Sequence, residues 1–281
     1  MGHTRLGWIP KTRRWRSLVS LATDGFSGGG IVFNGVAESH GGPPSPENKV
    51  VAAVAASTLN LTTGALDRAC SDRIVAKVFF TMARIALASR KENWCDELAQ
   101  VGIHLSVESG PMDLAAEFSR CIWEYGVAEG LSSDAAEQAV AAAQETLADV
   151  SRAGNLDMFS SSGEELRRAI KAVSTKEGFA TLAQSFFAGF LAKYINFYLS
   201  RITPAMTTVG PVSAASAVTL FNDALRLHCK QSALIVRDFA GGWYAKTEYE
   251  EGITLSNAKR FVAIALKKLK AELSAQWQQV R

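Results

Sequence analysis

Apolar residues recur at helical spacing along almost the whole chain after Pro46, and this periodicity restricts the fold. The clearest stretch spans residues 65–89, where Ile74, Val78 and Met82 follow one another at steps of four residues. Alternating polar and apolar runs, which would predict strands, are scarce. The sequence therefore predicts an all-α protein, an irregular multi-helix bundle of about ten helices. With 281 residues of which 48% are hydrophobic, the chain has enough apolar surface to bury a core.

Local signals predict where several of these helices begin. Pro111 suits a first helical position, because its missing N–H group has no partner there in any case. Ser-x-x-Glu capping boxes begin at Ser162 and Ser174, and Asp134 with Glu137 forms a similar pair. Further helices are predicted over residues 216–239 and 256–278.

The segment from Phe179 to Leu199 is apolar on almost every side and lies in a helix predicted over residues 176–201. Its length is sufficient for a membrane span, which needs about 20 apolar residues. A helix enclosed by other helices of a large domain fits the same pattern. Because Gln184 and Lys193 interrupt the run, we expect a buried core helix and no membrane partner. Membrane attachment through residues 178–202 is the alternative.

Glycine and proline divide the chain into three parts. The composition predicts a basic arm and a short helix over residues 1–24, a Gly/Pro-rich linker over residues 25–46 and a helical domain over residues 47–281. A boundary between two lobes is predicted near residues 151–175. This division predicts that the basic arm is flexible and can reach away from the domain.

The N-terminal arm concentrates positive charge. Residues 1–16 carry a formal charge of +5 and no acidic residue, which leaves −2 for the rest of the chain. The candidate binding residues of the arm are Arg5, Trp8, Lys11, Arg13, Arg14, Trp15 and Arg16. Arginine and tryptophan are enriched at the centres of protein interfaces, and they also bind phosphates and bases. The arm therefore predicts a protein partner, a nucleic acid, or packing onto its own domain.

The segment over residues 239–254 predicts a loop rich in aromatic and charged residues between the last two long helices. Gly241 and Gly242 would let the backbone leave the preceding helix with positive φ angles. The candidate partner-binding residues are Trp243, Tyr244 and Lys246. The alternative is a helical hairpin in which Trp243 and Tyr249 fill the core.

Motifs for catalysis and for metal binding are missing from the sequence. There is no phosphate-binding G-x-x-x-x-G-K-[ST] loop and no H-E-x-x-H motif, and Ser27 in its G-x-S-x-G match lies in the linker. His228 and Cys229 are adjacent, so they face apart on a helix and do not form a zinc pair. We expect no cofactor and no metal, and the four widely spaced cysteines predict a reduced, cytoplasmic protein.

Two other functions stay open. One is a nucleic-acid-binding module that combines the arm with the basic residues of the C-terminal helix, which are Lys259, Arg260, Lys267, Lys268 and Lys270. The other is an enzyme with an unfamiliar site built from Arg226, His228, Arg237 and Glu248.

The two ends of the chain, LGWIPKTRRWRSLVSL and the stretch from FNDALRLHCKQ to AIALKKLKAEL, resemble a family of uncharacterised all-helical bacterial proteins. Members of that family are encoded beside ATPase, helicase or nuclease genes in anti-phage defence loci. The resemblance implies this genomic context only. Together with the composition of the arm and of residues 239–254, it leads us to expect a non-catalytic accessory subunit that docks on such an enzyme through these two segments. It assigns no catalytic residue.

Overall fold

The computed structural model describes residues 54–59, 62–157, 162–200 and 214–280. These residues contain helices and no strand, which confirms the predicted all-α bundle. Residues 1–24, which include the basic arm, lie outside the described residues, as do the linker (25–46) and residues 201–213. The predicted division into domains and lobes stays a prediction.

The helices of the described residues are numbered in chain order. They are α1 (54–59), α2 (Thr63–Ser71), α3 (Arg73–Ala88), α4 (Trp94–Ala99), α5 (Pro111–Ala128), α6 (Asp134–Ala153), α7 (Gly163–Ala172), α8 (Lys176–Leu199), α9 (Ala214–Ser232), α10 (Leu234–Glu250) and α11 (Leu255–Val280).

Helix α8 lies at the centre of the bundle. It packs against α6, α9 and α10, and its side chains are buried around most of the helix. This burial confirms that the apolar run from Phe179 to Leu199 is a core helix. Among the described residues, no helix has both the length and the apolar character needed to cross a membrane.

Helix α3 packs against α11 and α6 and brings Phe79 to the middle of an aromatic cluster. The Phe79 ring stacks on Phe261 of α11 at a centroid distance of 4.9 Å. It also lies 5.4 Å from the Phe187 ring of α8 and 5.6 Å from the Trp243 ring of α10. One side chain thus joins four helices.

The predicted helix starts are largely correct. Pro111 is the first residue of α5, and the capping box at Ser162 forms as predicted: its hydroxyl accepts from the Glu165 amide, and the Glu165 carboxylate accepts from the Ser162 amide at 2.8 Å. Two caps lie one residue from the predicted position, at Ser133 and Thr175. At both, the residue just before the helix is extended, which aims its hydroxyl at the first free amides.

Two long helices predicted from periodicity are each divided in two. Asp72 separates α2 from α3, because its carboxylate accepts hydrogen bonds from the amides of Ile74 at 2.7 Å and Val75 at 3.1 Å. Residues 216–239 are divided at Ala233, between α9 and α10.

The prediction of a loop over residues 239–254 is wrong for residues 239–250, because α10 continues to Glu250. Neither Gly241 nor Gly242 has a positive φ angle; Gly252, with φ of 72°, provides the helix-ending conformation. The backbone of Gly241 instead lies against α8, where an added Cβ would be 2.5 Å from the carbonyl oxygen of Lys176. The glycine is needed for this close approach of two helices.

Candidate protein-docking face

Helix α5 has one side buried in the bundle and one side turned to solvent. The Asp113 carboxylate accepts a hydrogen bond from the Gly110 amide at 2.8 Å, which fixes the start of the helix. Leu114, Phe118 and Ile122 are buried, and they hold α5 against α3 and α6. This packing leaves the opposite side of the helix without a covering element among the described residues.

Large apolar side chains lie on that outer side. Trp123 is 68% exposed, Val127 is 61% exposed and Met112 is 43% exposed. Their spacing of eleven and four residues places them within about 60° of one another around the helix axis. Exposed apolar residues scattered singly are normal, whereas an aligned group that contains a tryptophan is typical of an interaction site.

Helix α6 borders this strip of apolar residues. The Gln144 side-chain amide donates a hydrogen bond to the Ser119 hydroxyl at 2.6 Å, and Ser119 lies one helical turn before Trp123. Glu137 is exposed and lies two turns before Gln144 on the same side of α6. We call this surface the docking face. It consists of Met112, Ser119, Trp123, Glu124 and Val127 of α5 with Glu137 and Gln144 of α6.

The surroundings of the docking face are acidic. Residues 101–153 contain nine Asp or Glu residues and two Arg residues, a formal charge of −7. By contrast, the formal charge is +1 for residues 62–100, +2 for residues 162–200 and +3 for residues 214–280. Three cations of the other stretches bind acids of this one, Arg73 at Glu129 and Lys193 with Arg226 at Glu145. The α5–α6 region keeps an excess of negative charge after these pairs are counted.

Arg120 organises the acidic residues beside the strip. Its guanidinium bonds Glu124 at 2.6 Å and Glu117 at 2.8 Å, and it donates to the Gly102 carbonyl at 2.9 Å. The hydrogen bonds from Arg120, together with one from the His104 amide and against the effect of burial, lower the pKa of the Glu117 carboxyl to about 2. This carboxylate is therefore charged over the whole physiological pH range.

A separate cleft lies between α6, α8 and α9 and has a volume of about 160 Å³. The Glu145 carboxylate bonds Lys193 and Arg226 there, each at 2.7 Å. Partial burial alone would raise the pKa of Glu145, but Lys193 and Arg226 outweigh burial and lower it. Because the two cations and the carboxylate come from three helices, we interpret the group as a tie between α6, α8 and α9.

Of the predicted binding residues, those of the arm lie outside the described residues, and the three on α10 have different environments. Tyr244 is fully buried and stacks on Phe179 with ring centroids 3.9 Å apart, so it cannot contact a partner at the surface. Trp243 is half-buried, and its ring lies 4.5 Å from that of Phe261. Lys246 is exposed, as is Tyr249 nearby, whose exposed fraction is 91%.

The residues of the hypothetical enzyme site do not converge. Arg226 pairs with Glu145, which also binds Lys193 near the far end of α8. Glu248 pairs with Arg90, which bonds the Ser174 carbonyl just before α8 begins. These two ends are about 25 Å apart along the helix. The described residues also contain no group of three His, Cys, Asp or Glu side chains that could hold a metal ion.

The basic residues of α11 are partly engaged by other groups. Lys270 pairs with Asp67 at 3.1 Å, Arg260 lies 3.8 Å from Glu251, and the Lys268 ammonium lies over the Phe239 ring. Binding of a nucleic acid by this helix stays a prediction.

Sequence reasoning missed the docking face, although two signals for it are in the sequence. Met112, Trp123 and Val127 recur on the side of a predicted helix opposite Leu114 and Phe118. The excess of acidic residues over 101–153 can also be counted directly.

Comparison of the chain with protein-family models, with curated proteins and with solved structures found no match. The resemblance of the chain ends to defence-locus proteins therefore stays a prediction.

Proposed function

We propose that this chain is a non-catalytic adaptor subunit that binds another protein through the docking face on α5 and α6. The observation that carries the proposal is the exposed, aligned group of Trp123, Val127 and Met112. An accessory subunit needs a stable scaffold with one persistent contact surface, and the helical bundle supplies both.

The size of the exposed indole supports this proposal. A tryptophan side chain that is 68% exposed leaves roughly 150 Å² of surface in water, which corresponds to roughly 3 kcal/mol of unrealised hydrophobic free energy. At interface hot spots a partner covers a residue of this kind, and removing one tryptophan there lowers the binding free energy by about 2 kcal/mol or more.

The charge around the face defines the partner's chemistry. Because residues 101–153 carry a formal charge of −7, a partner surface with lysine or arginine around an apolar centre would associate fastest and fit best. Because of the resemblance of the chain ends, the first candidate partner is an ATPase, helicase or nuclease subunit whose gene neighbours the gene for this chain.

We expect Trp123→Ala to weaken binding to such a partner about 30-fold, because the central apolar contact is lost. The test is to co-express the full chain with the proteins encoded by neighbouring genes, to purify the complex, and to measure the dissociation constant by calorimetry for the parent chain and the variant.

Tyr249→Ala is the matched control, since it also removes an exposed aromatic ring, from the end of α10. It should change the dissociation constant less than twofold or threefold, as is usual for residues outside a hot spot. Loss of binding with Tyr249→Ala and normal binding with Trp123→Ala would contradict the proposal and place the contact at the C-terminal segment.

A further inference from the structure

We infer that, when no partner is bound, the docking face holds the chain's own N-terminal arm, residues 1–16. This inference rests on the proposed function, because it assigns the same face an internal ligand that a partner must displace. Four observations lead to it, and they concern the chemistry of the arm, the charge of the face, the apolar strip and the reach of the chain.

The arm has the composition that the docking face would bind. It carries a formal charge of +5, and its two tryptophans, Trp8 and Trp15, are seven residues apart. On a helix, this separation places two side chains on one side. Indole rings can cover the strip around Trp123 while the arginines meet the carboxylates that border it.

The charge distribution favours this face over the other surfaces described. The stretches 62–100, 162–200 and 214–280 each carry a net positive charge, so the arm would be repelled on average from the helices that they form. Only the stretch that forms α5 and α6, among those described, has the opposite sign. Glu124 and Glu137 lie on the docking face itself and provide acceptors on both sides of the strip.

The connection is long enough. Residues 17–53 separate the arm from α1, and 37 residues can span at most about 120 Å. A domain of this size is roughly 45 Å across. The start of α6 is also tied to the N-terminal part of the described chain, since the Ser133 hydroxyl donates a hydrogen bond at 2.5 Å to the Asp72 carboxylate.

In this arrangement the arm and the partner compete for the docking face. A partner with a basic, apolar segment displaces the arm, and the released arm can then bind a phosphate backbone. Docking of the partner and exposure of the arm become a single step.

Carbodiimide cross-linking of the purified full chain without a partner tests the inference. The reagent joins an amine directly to a carboxylate in contact with it. We expect Lys11, the lysine of the arm, to link to acidic residues within 101–153. An equal mixture of ¹⁵N-labelled and unlabelled chains shows, by mass spectrometry, whether each link lies within one chain.

The double variant Trp123→Ala with Glu137→Gln should reduce the yield of these links at least fivefold, with an unchanged melting temperature as the folding control. Asp223→Asn with Asp238→Asn, two exposed acids on α9 and α10, should leave the yield unchanged. Links between labelled and unlabelled chains would assign the face to a second copy. Links from the arm to other segments, or none, would also overturn the inference. Because no partner is present, each of these outcomes leaves the proposed function standing.

Discussion

Replacing Phe79 with alanine is expected to lower the free energy of unfolding by about 4 kcal/mol, a large part of the 5–15 kcal/mol that stabilises a typical domain. The Phe79 side chain is 1% exposed and contacts aromatic rings of α8, α10 and α11. Its removal leaves a cavity where four helices meet, and the loss of each ring pair adds to the cost.

The neighbouring Phe80→Ala variant is the matched control for this prediction. Phe80 is only half-buried, and the Lys77 ammonium lies 5.3 Å from the centre of its ring. We expect a loss of about 1 kcal/mol for Phe80→Ala. Urea unfolding followed by circular dichroism measures both variants. Equal decreases in the free energy of unfolding would contradict the structure of α3, in which Phe79 is buried and Phe80 is only half-buried.

Alanine at Gly241 and alanine at Gly242 are expected to change stability in opposite directions. At Gly241 the new Cβ would lie 2.5 Å from the Lys176 carbonyl oxygen, so α8 and α10 must separate, at a cost of about 2 kcal/mol. At Gly242 an added Cβ would meet no atom within 4 Å apart from its own stretch of helix backbone, and alanine should stabilise the exposed helix by about 0.5–1 kcal/mol.

This pair of variants also distinguishes a helix from the loop that the sequence predicted. In the loop with positive φ angles, alanine at Gly242 would be strained and therefore destabilising. Melting temperatures of the two variants, measured at one protein concentration, give the sign directly. A lower melting temperature for Gly242→Ala would contradict a helix that continues to Glu250.

The sequence was sufficient wherever a local rule decided the structure. The capping box at Ser162, the start of α5 at Pro111 and the burial of the run from Phe179 to Leu199 each depend on residues close together in the chain. The break at Asp72 follows a local signal too, but the helical periodicity on both sides concealed it.

Features that depend on contacts between distant segments could not be predicted. The paired glycines on α10 resemble a helix end, and only the position of Lys176 shows that one of them permits close packing instead. Trp123 is similar, because an aromatic residue in a predicted helix is expected in the core. The periodicity separates the side with Met112, Trp123 and Val127 from the side with Leu114 and Phe118, but only the packing of α3 and α6 decides which of the two sides is buried.

The most direct test of the docking face is hydroxyl-radical footprinting of the native complex, compared with a partner-free chain that lacks residues 1–16. In that reference chain neither the arm nor a partner covers the docking face, so Trp123 and Tyr249 are both exposed, and their oxidation rates are measured by mass spectrometry. We predict that the partner lowers the Trp123 rate about tenfold, because hot-spot residues are shielded from water, and leaves the Tyr249 rate unchanged. An unchanged Trp123 rate in an intact complex would contradict the assignment of α5 as the contact surface.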